Sequence, residues 1–196
     1  RNIIQLIIFF GGIWLVASLF VMATNYVYHN ILKPHQQERI MVMLGQDVKT
    51  GADYNVKQSK IAIGSGGVWG KGFLKGTFTK GDFVPEQSTD FIFCTIGEEY
   101  GFAGSAALML IYLFLLWRIL MIAERQRSKF SRIYAYGVAC ILFFHVMINV
   151  GMTIGLAPVI GIPLPFISYG GSSLWSFTIL LFILIKLDAD RLAILR

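Results

Sequence analysis

Charge is scarce in this chain of 196 residues: Asp, Glu, Lys and Arg together make up 14%, against about 25% in soluble domains. So small a share argues against an ordinary water-soluble globule, whose surface carries most of its charged residues. Cysteine is rarer still. Cys94 and Cys140 lie in separate apolar stretches without metal-ligand spacing, which leaves them as packing thiols rather than a metal site. Of the three histidines, His145 has no second histidine or carboxylate three or four residues further on, so a helix-borne metal pair is not expected there. The N-terminus lacks a charged leader ahead of a short apolar run and a small-residue cleavage site, so residues 3–28 do not read as a signal peptide. With Arg1 first, the chain reads as a piece of something longer. The net charge of +6 is scattered rather than gathered on one element, and no nucleic-acid partner is expected.

What the chain has in abundance is apolar sequence, 56% of all residues. It falls in blocks long enough to cross a bilayer, which takes roughly 20 residues of helix. The expected order is a transmembrane helix over residues 1–28, an extracytoplasmic loop over 29–90 and a transmembrane helix over 91–123. A basic cytoplasmic loop over 124–132 leads to a third transmembrane helix over 133–156. An extracytoplasmic loop over 157–171, a fourth transmembrane helix over 172–187 and a cytoplasmic tail over 188–196 complete it. Orientation rests on the 124–132 link, which holds four basic residues in nine, with Arg118 able to snorkel to the same side. The tail with Lys186, Arg191 and Arg196 lies two crossings away and so shares that side. The 29–90 segment carries eight Lys and Arg, but loops of that length cross largely regardless of charge. Its length points to function, and residues 54–63 suit a short amphipathic element.

Several groups within this frame could carry chemistry. The run Gly64-Ser65-Gly66-Gly67-Val68-Trp69-Gly70-Lys71-Gly72 invites comparison with a phosphate-binding P-loop, G-x-x-x-x-G-K-[ST]. Ser65 stands at the first glycine and Gly72 where Ser or Thr is required, so Walker A is rejected. Two readings stay open: a flexible, backbone-exposed loop with Lys71, Lys75 and Lys80 suited to an anionic group, or a solvated turn near lipid head groups. Asp90 is the last polar residue before an apolar helix. It can serve as the helix N-cap, or, if Thr89 caps instead, as a general base at the membrane boundary. Glu98 and Glu99 point in different directions and are not a matched pair; hydrogen bonding to a neighbouring span is their plain reading. His145, Asn149 and Thr153 share one helix face, either as glue between helices or as a substrate-lining stripe, and Gly151 with Gly155 forms a GxxxG pair. The 157–173 stretch holds three of the five prolines and three glycines, which makes it a shaped loop with Ser168, Tyr169, Ser172 and Ser173 as its hydroxyls.

Three stretches, QSKIAIGSGGVWGKGF (58–73), FVPEQSTDFIFCTIGEEYGFAG (83–104) and NVGMTIGLAPVIGIPLPFISYGGSS (149–173), resemble the SEDS proteins of shape, elongation, division and sporulation (RodA, FtsW, SpoVE). Residues 34–40, PHQQERI, fit the same family, and GIPLPFISYGGSS is more similar to the RodA branch than to the FtsW branch. The resemblance implies an all-α integral membrane protein whose four transmembrane helices are the last four of a ten-span fold, with a long, partly helical extracytoplasmic loop. It implies a peptidoglycan glycosyltransferase that polymerises lipid II with release of undecaprenyl diphosphate in the bacterial cytoplasmic membrane. Asp90 matches the family's essential aspartate, which favours the general base over the cap. Glu86, Lys71, Gln58 and Ser59 fall in the same loop's motifs, and Ser168, Tyr169 and Ser172 in the later loop, as substrate-binding residues. Lys71 is the candidate to stabilise the departing diphosphate, alongside a divalent cation (Mg or Mn) whose ligands are unassigned; no organic cofactor is implied. The implied partner is a class B penicillin-binding protein, a transpeptidase. Gln87-Ser88 and Tyr100 depart from the common family pattern without touching the proposed base. The alternatives are a lipid II flippase, which gapped polar spans would also suit, and a non-enzymatic scaffold for the transpeptidase.

Overall fold

Long apolar runs with no water to satisfy the backbone must bond internally, and in this chain they do so as helix. The structure, a computed structural model, describes residues 2–45, 51–81 and 83–191. Its helices are α1 (Asn2–Asn30), α2 (Pro34–Met43), α3 (Gly51–Ser65), α4 (Thr77–Lys80), α5 (Ile92–Glu124), α6 (Lys129–Thr153) and α7 (Gly171–Asp190). There is no strand among the described residues. Four of the helices are long and apolar enough to cross a membrane: α1 over Gly11–Asn30, then α5, α6 and α7. Arg196, assigned to the tail, lies outside the described residues.

The chain divides into two units, Arg1–Val48 and Lys49–Arg196. In the first, α1 shows apolar side chains such as Trp14 and Phe20 on its surface, as a lipid-facing helix does. Pro34, with no N–H to lose, opens α2. The Gln37 amide donates to the carbonyls of Tyr28 (2.7 Å) and Leu32 (3.1 Å), satisfying acceptors where α1 runs out.

In the second unit α5, α6 and α7 pack around Ile119, Ala123, Ala135, Val138, Ala139, Leu142, Phe177 and Leu184. The three alanines let the helices approach closely, which is how helices associate where lipid is as apolar as leucine. At one end the basic link is fastened to α7. Arg125 Nε donates to Asp188 Oδ1 (2.9 Å), and so does the Gln126 amide (2.9 Å).

The opposite end is built differently. Helix α5 is broken at Gly101, where φ is 66° and ψ is −159°, a conformation open only to glycine at little cost. The glycine-rich segment lies against the break. Phe102 and Ala103 donate their N–H groups to the carbonyls of Gly67 (2.9 Å) and Val68 (3.0 Å). In return Lys71 and Gly72 donate to the carbonyls of Glu98 (3.0 Å) and Glu99 (2.9 Å). A Cβ at Gly66 would overlap the carbonyl oxygen of Gly97, so the approach needs the bare backbone. The glycine run is therefore committed to packing. With the N–H groups of Gly70, Lys71 and Gly72 all donated to carbonyls, it is not the flexible, backbone-exposed anion cradle that its composition suggested.

Candidate functional site

Two irregular segments meet at this end, residues 83–91 and 154–170. The first turns on Glu86, whose φ is 56°. Its carbonyl collects the N–H groups of Thr89 (3.2 Å), Asp90 (3.1 Å) and Phe91 (3.2 Å), and the Thr89 hydroxyl donates to a Glu86 carboxylate oxygen (3.1 Å). The N-cap of α5 is Phe91, with no side-chain capping bond. Neither Thr89 nor Asp90 caps the helix, which leaves the Asp90 carboxylate uncommitted to the task that competed for it.

The second segment holds the first in place. Asn149, fully buried on α6, donates both amide hydrogens: one to the Asp90 carbonyl (2.8 Å), one to the Ile162 carbonyl (2.7 Å). The Ser168 hydroxyl donates to the Thr89 carbonyl (2.6 Å) and accepts the Leu164 N–H (2.7 Å). Tyr169 N–H donates to the Ser88 carbonyl (2.8 Å). Behind them the buried Tyr112 of α5 donates to the Pro165 carbonyl (2.5 Å). Residues 88, 89 and 90 are thus each tied through their backbone, and the Asp90 side chain is what remains to project.

That carboxylate lies against Gly161, where an added Cβ would stand 3.0 Å from Asp90 Oδ2. Gly161 has φ of 78°, so the close approach and the left-handed backbone both call for glycine. Partial burial, and then the nearby charge of Glu86, push the Asp90 carboxyl above its ordinary value of 3.8. Both causes disfavour the ionised form, which makes Asp90 a stronger base than a free aspartate.

The remaining candidates are distributed unevenly. Glu86 and Ser168 join Asp90 at this corner. Tyr169 and Ser172 stand exposed beyond it, and Gln58 is half-buried on α3. Ser59 is fully buried and donates to the Thr153 carbonyl (3.0 Å), fastening α3 to the end of α6. Lys71 has an occupation the sequence did not suggest. Its ammonium binds Glu98 Oε1 (2.7 Å) and Thr77 Oγ1 (2.8 Å) and lies 5.1 Å over the Phe78 ring. Glu98, fully buried, also accepts the N–H groups of Thr77 (2.7 Å), Phe78 (3.0 Å) and Thr79 (2.9 Å). It is the anchor of α4, so its partners come from the loop rather than from a neighbouring span. The Lys71 charge is met inside this anchor instead of standing open to a diphosphate.

In the sequence Asn149 stands only as a member of a polar stripe, and Gly161 and Tyr112 carry no mark of a site. A lone amide in an apolar helix was the available signal for the first. For the other two nothing local distinguishes them. His145 of the same stripe contacts the Ile141 carbonyl through Nδ1 (2.8 Å) and packs edge-on to Phe177, away from the corner. Beside residues 87–88 opens a cavity of about 300 Å3 lined by Thr79, Lys80, Gln87, Ser88, Ile92, Thr95 and Glu99. Among the described residues no three His, Cys, Asp or Glu gather as a metal centre, so these residues alone do not form the site that a divalent cation would need.

A model of the FtsW/RodA/SpoVE family, described as cell cycle protein, matches residues 2–192. Peptidoglycan glycosyltransferase MrdB of Escherichia coli K12 is 44% identical over 161 residues, covering 82% of this chain and 42% of the relative. Peptidoglycan glycosyltransferase RodA of Treponema pallidum (strain Nichols) is 38% identical over 184 residues, covering 91% of this chain and 42% of the relative. The chain therefore spans less than half the length of the curated relatives it matches. Among solved structures, one described as showing structural coordination of polymerization and crosslinking by a peptidoglycan synthase complex aligns with a TM-score of 0.69 and 31% identity, covering 90% of this chain and 49% of that one. An aspartate-to-alanine mutant of the Thermus thermophilus rod shape determining protein RodA aligns with a TM-score of 0.53 and 35% identity, over 63% of this chain and 39% of that one.

Proposed function

We propose that this chain, which belongs to the FtsW/RodA/SpoVE family of cell cycle proteins, carries the catalytic corner of a peptidoglycan glycosyltransferase acting in cell elongation and shape. The substrate is lipid II, and the corner faces the extracytoplasmic side of the bacterial cytoplasmic membrane. The observation that supports it is the Asp90 carboxylate: not a helix cap, held by its backbone, and raised in basicity by burial beside Glu86.

The chemistry follows from that group. The 4-hydroxyl of the acceptor's N-acetylglucosamine approaches C1 of the donor's N-acetylmuramic acid, and Asp90 takes the hydroxyl proton as the bond to C1 forms. The bond from C1 to the diphosphate oxygen breaks, and undecaprenyl diphosphate leaves with the electron pair. Fixing residues 88–90 through Asn149, Ser168 and Tyr169 keeps the base in one place, which is where much of the rate gain from orientation arises. Glu86, Gln58, Tyr169 and Ser172 are the partly or fully exposed members of the candidate set that remain open to substrate. Mg2+ or Mn2+ belongs to the proposal as a companion of the diphosphate, since such ions are commonly held by substrate phosphates and one or two carboxylates. Kinship with a peptidoglycan synthase complex supports a class B penicillin-binding protein as the partner.

The test is glycan polymerisation by the full-length protein purified with its transpeptidase, supplied with lipid II and a divalent cation. Wild type is expected to make polymer, and Asp90→Asn to make none while still folding and holding its partner. Polymer from Asp90→Asn at the wild-type rate would return the residue to a structural role and reopen the flippase and scaffold readings.

A further inference from the structure

The cavity beside Ser88 is an open depression of about 300 Å3, the small end of the range for ligand pockets. One wall is a single face of α5, where Ile92, Thr95 and Glu99 stand at i, i+3 and i+7. Thr79 and Lys80 of α4, with Gln87 and Ser88, line the rest. Glu99 is 7% exposed, and among the described residues no hydrogen bond or ion pair reaches its carboxylate. Its neighbour Glu98 shows the contrast, receiving Lys71, two donors from Thr77, and the N–H groups of Phe78 and Thr79.

An ionised carboxylate only accepts hydrogen bonds, and burying one without donors is costly. With none supplied by the described residues, the donors to Glu99 come from water or from a ligand that displaces water from the cavity. The lining narrows what that ligand is. A diphosphate would meet the Glu99 charge with a single lysine to offset it. A nucleobase would find no aromatic ring to stack on. A metal ion would find no cluster of ligands among the described residues. A compact polyol fits: its hydroxyls donate to Glu99, its oxygens accept from Lys80 and from the hydroxyls of Ser88 and Thr95, and its C–H face rests on Ile92. Ser88 stands two residues before Asp90 and Ile92 two after, so the cavity borders the segment that carries the proposed base.

We propose that this cavity is the subsite for the acceptor's terminal sugar, with Glu99 and Lys80 as the residues that bind the ring. This rests on the glycosyltransferase reading above and adds where one of its two substrates sits. A hydrogen bond to a charged group carries enough free energy that its loss changes binding by roughly 10–100-fold.

The experiment measures polymerisation rate against lipid II concentration for the full-length protein with its transpeptidase. Glu99→Gln is expected to raise KM by roughly 10–100-fold with kcat within a few-fold. Lys80→Gln, at an exposed position, is expected to raise KM several-fold, and Thr95→Phe, which fills the cavity, to lower kcat/KM by at least tenfold. Wild-type KM in Glu99→Gln and Lys80→Gln overturns the subsite while leaving the transferase reading intact. Should Glu99→Gln not fold, Lys80→Gln decides the matter alone. An inactive wild type brings down the transferase reading and the subsite together.

Discussion

Replacing Asn149 with leucine removes both hydrogen bonds that tie α6 to the site, those to the carbonyls of Asp90 and Ile162. Each carbonyl left without its donor costs about 1–3 kcal/mol. Asn149 Oδ1 is itself buried without a partner, so losing it offsets roughly one of the two. The net destabilisation is then about 1–3 kcal/mol, too little to unfold a domain of ordinary stability. The expected effect on chemistry is far larger, because Asp90, the proposed base, loses the bond that sets its depth, and a 1 Å displacement of a catalytic group costs about 100-fold. Asn149→Leu in the full-length protein is therefore expected to fold and to bind the proposed transpeptidase partner. Its melting midpoint should fall by several degrees, and its kcat by about 100-fold with KM little changed. The assay is polymerisation of labelled lipid II over a concentration series, beside a thermal melt of the same preparation. A kcat within twofold of wild type, with the melt lowered as expected, would show that the bond holds the proline-rich loop and not the base.

Gly161→Ala should leave the fold intact at a cost of about 1–3 kcal/mol for the left-handed backbone, yet lower kcat at least tenfold, because its Cβ would meet Asp90 Oδ2 at 3.0 Å; a melt and a rate measurement separate the two effects. Burial, then the Glu86 charge, raise the Asp90 carboxyl above 3.8, so the folded protein holds this proton more tightly than the unfolded chain. The associated stabilisation is full below pH 3.8 and fades as pH rises through the raised value. With Asp90 as the proposed base, its ionised form appears over the same interval, which is expected to form the acid limb of the rate profile. Glu86→Gln removes one cause of the shift and should move that limb to lower pH; a limb that stays or moves upward contradicts the assignment. Glu98→Gln weakens the anchor of α4 and strands Lys71, whose side chain is 26% exposed. The cost is placed toward the low end of the roughly 3–5 kcal/mol for breaking a buried pair, and limited proteolysis should find residues 66–81 newly cleavable.

Much of the architecture was legible in the residues because it rests on local properties. An apolar run of 20 or so residues has only one inexpensive way to satisfy its backbone in lipid, so α1, α5, α6 and α7 could be read directly. The helix over Gly51–Ser65 was anticipated in part, from residues 54–63. Asp90 stood out for a different reason, a long motif resemblance, since a lone aspartate before a helix is otherwise a cap as readily as a base.

The tertiary structure alone decided what these groups do, because each decision joins residues far apart in the chain. Asn149 meets Asp90 across 59 positions, and Ser59 meets Thr153 across 94. Lys71 had the composition of a phosphate ligand, and its pairing with Glu98 follows from the break at Gly101 that brings the loop against α5. A sequence states which side chains can donate and accept. Which donor reaches which acceptor depends on how the helices pack, and packing sums many weak contacts that no short stretch contains.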